Sequence, residues 1–354
     1  MRLLCVVQDE HMASSRIRVT AMLPHLAQHG LSAEAAAYPR GLAALAALLR
    51  RARGYDAVWL QKKLPNWLDA VLWRRCPAPV VFDFDDAISF RKDPKRGSYR
   101  SRVRERKFRR VLGLAAAVTC GNRYLASLLP ARDAGKPTLL YPSPVPTDVP
   151  LRDYGVAAGP WVLGWIGGKG NLSSLERIVP ELAALGRRHD VILRVVSDGE
   201  LSAQGLAVEN VPWSLEHQEA RVAGFDLGLM PLDGASPFDL GKCSYKVLQY
   251  MAAGVVPVAD AVGMNAEVIR AGTTGFLVAE DGGWGSVLEG LLCRDRRGLA
   301  ALGQAAREEA QERFGYEPNA ELLAGFFAGV VERGSEQESG SRSTPRITRR
   351  EETR

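Results

Sequence analysis

The chain of 354 residues is 46% hydrophobic and 24% charged, with a formal net charge of +6 and 35 glycines. That composition excludes a fibrous or wholly disordered chain, and the length exceeds what one ordinary core supports, so two domains of roughly 150 residues each are expected. The five cysteines, Cys5, Cys76, Cys120, Cys243 and Cys293, are scattered without C-x-x-C spacing, which argues against a disulfide framework or structural zinc site and fits a reducing cytoplasm.

The apolar run at 2–7 meets Gln8, Asp9 and Glu10 too early for a secretory segment and reads as a first strand. No window reaches the roughly 18 apolar residues of a membrane span. Further strands are predicted at 55–60, 80–83, 116–120 and 138–140, with helical periodicity at 17–29 and 42–53. Prolines at 142, 144 and 146 stop both helix and sheet and mark a linker. A second series follows, with strands at 161–166, 191–196, 227–230, 255–259 and 276–278 and an edge element near 208–211. Its helices are predicted at 173–188, 215–223, 242–253, 265–271, 285–293 and 297–314. Alternation of this kind specifies βαβ units and an α/β fold with parallel sheets buried on both faces. The expected division is an N-terminal Rossmann-like domain over 1–146, a C-terminal one over 147–315, a helix over 316–333 returning to the first domain, and a disordered tail over 334–354.

The most informative segment runs from Phe225 to Leu232, then from Gly241 to Val258: a strand, a polar loop, a helix closed by glycine, and a second strand. Its loop opens at the C-terminal edge of a parallel sheet, where doubly wound folds bind ligands. A helix beginning near Lys242 would aim unpaired N–H groups at that loop and favour a phosphate. Lys242 and Lys246, four apart, share a helical face and reach toward a diphosphate; the competing reading is a solvated helix start with two surface lysines.

Over Lys246 to Val258 the sequence resembles the family 4 glycosyltransferases of the GT-B fold, which carry a similar K-x-x-E-x-M-A-x-G-x-P-V helix and strand. The run Trp161 to Gly170 looks like that family's first C-domain strand and glycine turn. Asn210 to Ser214 resembles its base-framing loop, and Gly263 to Ile269 with Gly275 to Val278 matches its usual continuation. The resemblance covers about residues 1–330 and implies a GT-B protein with two Rossmann-like domains around a cleft. The implied activity is transfer of a sugar from a nucleotide diphosphate sugar to a glycan, lipid-linked or small-molecule acceptor, with retention, in cell envelope or polysaccharide biosynthesis.

Donor-binding residues carried over on the matching positions are Gly167, Gly168, Lys169, Trp213, Ser214, Asp239, Ser244, Gln249 and Glu267. Lys242 and Lys246 take the departing diphosphate, and Ser15, Arg16 and Asp86 lie on the acceptor side. The family's glutamate pair falls on Gly241 and Gln249, so both acids are absent. Gln249 still offers a donor and an acceptor to ribose hydroxyls, and Asp239 is the nearest acid able to replace the first glutamate. The family's cleft histidine aligns with Asp85, which is read as catalytic, orienting the acceptor or stabilising an oxocarbenium-like transition state; alternatively Asp83, Asp85 and Asp86 cap the strand end and salt-bridge to the arginines that follow. No metal and no other cofactor is expected.

The basic stretch that opens at Arg91 and closes at Arg110 fits peripheral contact with an anionic membrane and a lipid-linked acceptor, or else a solvated helix face; nucleic acid is not expected. His25 and His29 read as a surface pair, and Trp59, Trp67, Trp73, Trp165 and Trp284 as core or interface filler. The alternatives are a degenerate, non-catalytic nucleotide-sugar-binding GT-B protein and a nonhydrolysing nucleotide-sugar epimerase. A nicotinamide dehydrogenase is disfavoured, because no G-x-G-x-x-G follows the first strand.

Overall fold

The computed structural model of the protein describes residues 1–155, 159–279 and 283–342, with side chains described up to 336. Its strands, in chain order, are β1 (Arg2–Val7), β2 (Ser32–Ala37), β3 (Ala57–Gln61), β4 (Val80–Phe84), β5 (Phe90–Lys95), β6 (Ser98–Arg100), β7 (Ala117–Cys120) and β8 (Thr138–Leu140). The second half adds β9 (Trp161–Ile166), β10 (Val191–Ser197), β11 (Ala207–Pro212), β12 (Leu227–Met230), β13 (Val256–Asp260) and β14 (Phe276–Val278). Two six-stranded parallel sheets result, in the orders β2-β1-β3-β4-β7-β8 and β11-β10-β9-β12-β13-β14. β3, β4, β7, β12 and β13 are buried along their whole length, as continuous apolar runs covered on both faces must be.

Each sheet changes direction once, between β1 and β3 in the first and between β9 and β12 in the second. The loops leaving the C-terminal ends of those strands open the crevice where such folds hold ligands. The chain crosses between the halves twice, side by side: Val145 bridges Gly315, and the Val145 N–H donates to the Phe314 carbonyl at 2.9 Å. Beyond that crossing the helix Tyr316–Arg342 buries Ala320, Leu323, Phe327 and Val330 in the first half, among Leu3, Cys5 and Trp59. Phe327 meets Trp59 edge-on at 5.6 Å.

Several local expectations are corrected. β2 escapes a propensity reading because its sequence, Ser-Ala-Glu-Ala-Ala-Ala, favours helix, and pairing with β1 overrides it. The helix expected over 17–29 is two, Ala13–Arg18 and Leu23–Gln28, with Pro24 in the first turn of the second. Likewise 173–188 divides into Leu172–Glu176 and Val179–Gly186, because Pro180 cannot donate within a helix. The basic stretch is no single helix: β5 and β6 form an antiparallel hairpin turning at Arg96 and Gly97, and only Arg102–Leu112 is helical. Trp67, read as filler, is 64% exposed. The last helix runs on to Arg342 instead of ending at 333, as propagation from a docked segment allows where no proline intervenes. The remainder of the expected tail, 343–354, lies outside the described residues.

Candidate active site

The C-terminal edges of the two sheets face each other across a cleft of about 710 Å³. On the first half, β3 ends at Gln61 and passes directly to Lys62, held at φ 59°. A left-handed non-glycine residue costs about 1–3 kcal/mol and survives where its surroundings demand the geometry. Here the demand is electrostatic: the Lys62 Nζ lies 2.9 Å from Asp85 Oδ1 and also bonds Asp86 Oδ2, both carboxylates following β4. Burial alone would lower the Lys62 pKa, but the two carboxylates reverse this and raise it. The carboxylates diverge in turn. Burial would push Asp85 up, yet Lys62 and Arg18 hold it below its ordinary value; burial and the neighbouring Asp85 charge push Asp86 up.

On the second half, β9 runs into Gly167 and Gly168, and the loop after β12 leads to the helix Tyr245–Ala252. That helix starts three residues after the expected Lys242, because Pro237–Leu240 forms a separate helical turn and Ser244 adopts a left-handed φ of 48°. The buried Ser244 Oγ bonds Asn265 Oδ1 at 2.7 Å, locking the corner. Lys242 therefore precedes the helix and Lys246 lies in its first turn. Lys242 pairs with Asp239 at 2.8 Å, whereas Lys246 Nζ stands 5.2 Å from the Trp165 ring centroid and pairs with no carboxylate among the described residues. Burial, aided by the Lys242 charge, lowers the Lys246 pKa to about 7. Across the cleft Arg16 faces the Trp213 ring at 5.9 Å, and it too pairs with no carboxylate among the described residues. A Cβ on Gly167 would fall 2.6 Å from Lys246 Cε and 2.7 Å from the Trp165 ring, so glycine is what lets the lysine lie there.

Of the residues singled out from sequence, Arg16, Asp85, Asp86, Gly167, Gly168, Trp213, Lys242, Ser244, Lys246 and Gln249 line this one cleft. Asp239 lines an adjoining cavity. Four do not reach the cleft. Ser15 is buried and donates to Gln61 Oε1 at 3.0 Å, because helical rotation turns it away while its neighbours Ser14 and Arg16 face in. Lys169 has an exposed side chain beyond the glycine turn, its backbone N–H donating to Asp198 Oδ1 at 2.6 Å. Ser214 lies past Trp213 and outside the lining, and Glu267 pairs with Arg123 at 3.5 Å. Lys62, Asn171 and Asp198 line the cleft without having been anticipated. A lysine ending a strand carries no local signal until the opposing loop is in place.

Gly241 also acquires a physical reason. A Cβ there would lie 2.9 Å from the Ala87 nitrogen and 3.0 Å from the Leu125 side chain, so the first half occupies the space a family glutamate would need. Gly241→Glu is expected to lower stability by about 1–3 kcal/mol through overpacking, read as a fall in the melting temperature. Unchanged stability would show that the halves separate freely at this contact.

Residues 162–292 match the family model described as Glycosyl transferases group 1. Among curated proteins no match to this sequence is found. Among solved structures, Alr3699/HepE of Anabaena in complex with UDP and glucose is similar at TM-score 0.67 and 16% identity, covering 93% of this chain and 100% of its own. Sucrose-phosphate synthase of Thermosynechococcus elongatus is similar at TM-score 0.69 and 14% identity, covering 94% and 100%. A glycosyltransferase of Rickettsia africae gives TM-score 0.59 at 11% identity, covering 93% and 98%. These likenesses show the GT-B fold over both halves, and within the β9–β14 half residues 162–292 match the group 1 glycosyltransferase model.

Proposed function

We propose that the protein moves a glycosyl group from a nucleoside diphosphate sugar, held in the 710 Å³ cleft, to an acceptor hydroxyl, with retention as the family resemblance implies. The observation that carries this reading is the pair Arg16 and Lys246, basic groups from opposite halves that line one cleft and, among the described residues, have no carboxylate in ion-pair contact. Basic groups facing a shared cleft without a carboxylate favour an anion there, which would hold Lys246 in its charged form, and a diphosphate bridging them fits the helix start beside Lys246.

In this reading the base lies near Trp213 and the ribose near Gln249. The bond from the sugar's anomeric carbon to the diphosphate oxygen breaks, and the electron pair leaves with the nucleoside diphosphate. Lys246, Arg16 and Lys242 stabilise its growing charge without a metal. Asp85, kept ionised by Lys62, stabilises the positive charge developing on the sugar. The acceptor oxygen bonds to the anomeric carbon as its proton passes to Asp86, the carboxylate with the raised pKa. HepE has been solved in complex with UDP and glucose and with UDP-glucose, which favours a uridine nucleotide here.

The test is a thermal-shift screen with UDP, GDP, ADP and their sugars, followed by donor hydrolysis and transfer. One nucleotide is expected to raise the melting temperature, and Lys246→Met and Arg16→Met to abolish the rise. No shift at millimolar concentration sinks the donor reading. Binding with neither hydrolysis nor transfer favours a degenerate binding protein, the reading that Gly241 supports.

Among the described residues no helix is long and apolar enough to cross a membrane. Peripheral contact is proposed through the helix Arg102–Leu112, where Arg102, Arg104 and Arg106 are exposed. Arg110 donates to the Pro65 carbonyl at 3.3 Å, next to a helix that exposes Trp67, Leu68 and Val71. At about 1 kcal/mol per basic residue near an anionic leaflet, Arg102→Ser with Arg106→Ser is expected to weaken binding to phosphatidylglycerol vesicles about thirtyfold. Equal co-sedimentation of wild type and variant would remove the membrane role.

A further inference from the structure

A second cavity, of about 480 Å³, adjoins the cleft and shares Asp86, Asn171 and Lys242 with it. Its cover is the β5–β6 hairpin, which leaves the first half and packs on the helical turn Pro237–Leu240 of the second. Lys92 ties the hairpin down by donating to the Gly170 carbonyl at 2.7 Å. The cavity is therefore built jointly by both halves and meets the reaction cleft at Asp86.

Its chemistry differs from the cleft's. The three cations in its wall are all engaged, Lys92 on the Gly170 carbonyl, Lys242 on Asp239 and Arg177 on Asp260. Facing them are the carboxylates of Asp93 and Asp233, hydroxyls of Ser173 and Ser174, and the rings of Tyr99 and Phe238. The wall's four carboxylates, Asp86, Asp93, Asp233 and Asp239, outnumber these three cations, so it does not favour a second anion. It offers hydrogen-bond acceptors and flat apolar faces side by side, which suits a polyhydroxylated ring whose hydroxyls donate and whose C–H face stacks.

Resting on the donor reading of the cleft, we infer that this cavity receives an uncharged saccharide of the acceptor, carried free or on a lipid, and presents its hydroxyl to Asp86. Tyr99 and Asp93 of the hairpin then set which acceptor is taken, while the nucleotide is held elsewhere.

The test uses full-length protein saturated with whichever of UDP, GDP or ADP raises its melting temperature. It is applied to an array of neutral and uronic-acid oligosaccharides, each printed free and lipid-tailed. Wild type is expected to hold neutral saccharides. Tyr99→Ala and Asp93→Asn are each expected to weaken that signal about tenfold, with unliganded melting temperature and nucleotide shift unchanged. Equal signals on free and tailed forms assign recognition to the saccharide alone, and stronger signals on tailed forms assign a lipid-carried source. Retention of uronic acids only, retention of nothing, or variants that lose the nucleotide shift along with the array signal overturns the inference. A wild type with no nucleotide shift overturns the donor reading beneath it.

Discussion

Arg18→Met is expected to cost about 3–5 kcal/mol of stability, because it leaves a carboxylate buried with no counterion. Arg18 and Asp83 are fully buried and meet through two bonds, Nη2 to Oδ1 at 2.5 Å and Nε to Oδ2 at 2.9 Å. Thr119 donates to Asp83 at 2.7 Å, and the Trp59 indole donates to Thr119 at 3.0 Å. Arg18 also donates to the Tyr141 carbonyl at 2.8 Å and lies 4.3 Å from the centroid of that ring. One guanidinium thus ties β4 and, through Thr119, β7 to the start of the interdomain crossing. Chemical denaturation should show a lower midpoint at unchanged slope. The double variant Arg18→Met with Asp83→Leu should recover much of the loss, since a buried pair exchanged for apolar groups leaves no bare charge. If the double variant costs the sum of both singles, the two residues act independently and the proposed coupling fails.

Both sheets were legible because continuous apolar runs at regular spacing leave few alternatives to buried parallel strands. β9, β12 and β14 have the very limits their sequence predicts. What stayed hidden was set by tertiary contact. β2 is alanine-rich and becomes a strand only beside β1. The β5–β6 hairpin carries its charge into the cleft region through a turn at Arg96 and Gly97 that lacks the usual asparagine or aspartate signal. Within the site, Lys246, Gln249, Gly167 and Gly168 were found through the family pattern, since each sits on a motif fixed along the chain. Lys62 in the cleft, and Arg18 buried behind it, were not. Each owes its place to a carboxylate more than 20 residues away, Asp85 for Lys62 and Asp83 for Arg18, and pairings of that kind leave no periodicity in the sequence.

Lys246→Met is expected to lower kcat/KM by about 10²–10³, the size of effect seen when one fixed charge is removed from a developing oxyanion. Its pH dependence distinguishes this role from packing. The folded protein holds Lys246 at a pKa of about 7, against an ordinary value of 10.5. Between those values the unfolded chain binds a proton that the ligand-free fold does not, so this group makes the ligand-free stability rise with pH from about 7 upward and level off above the unfolded pKa. Diphosphate binding has the opposite slope, because the anion selects the charged amine and affinity must fall as pH passes upward through about 7. Lys246→Met should flatten both trends, leaving a ligand-free protein that no longer gains stability above neutrality and a nucleotide affinity whose remaining pH dependence belongs to the phosphate. Lys246→Arg should keep part of the affinity and lose the titration, since a guanidinium stays charged. Calorimetry of nucleotide binding across pH 6 to 9 in the three proteins would settle it. Parallel slopes in wild type and Lys246→Met would mean that the amine does not meet the phosphates, and that the lysine above Trp165 is a packing residue.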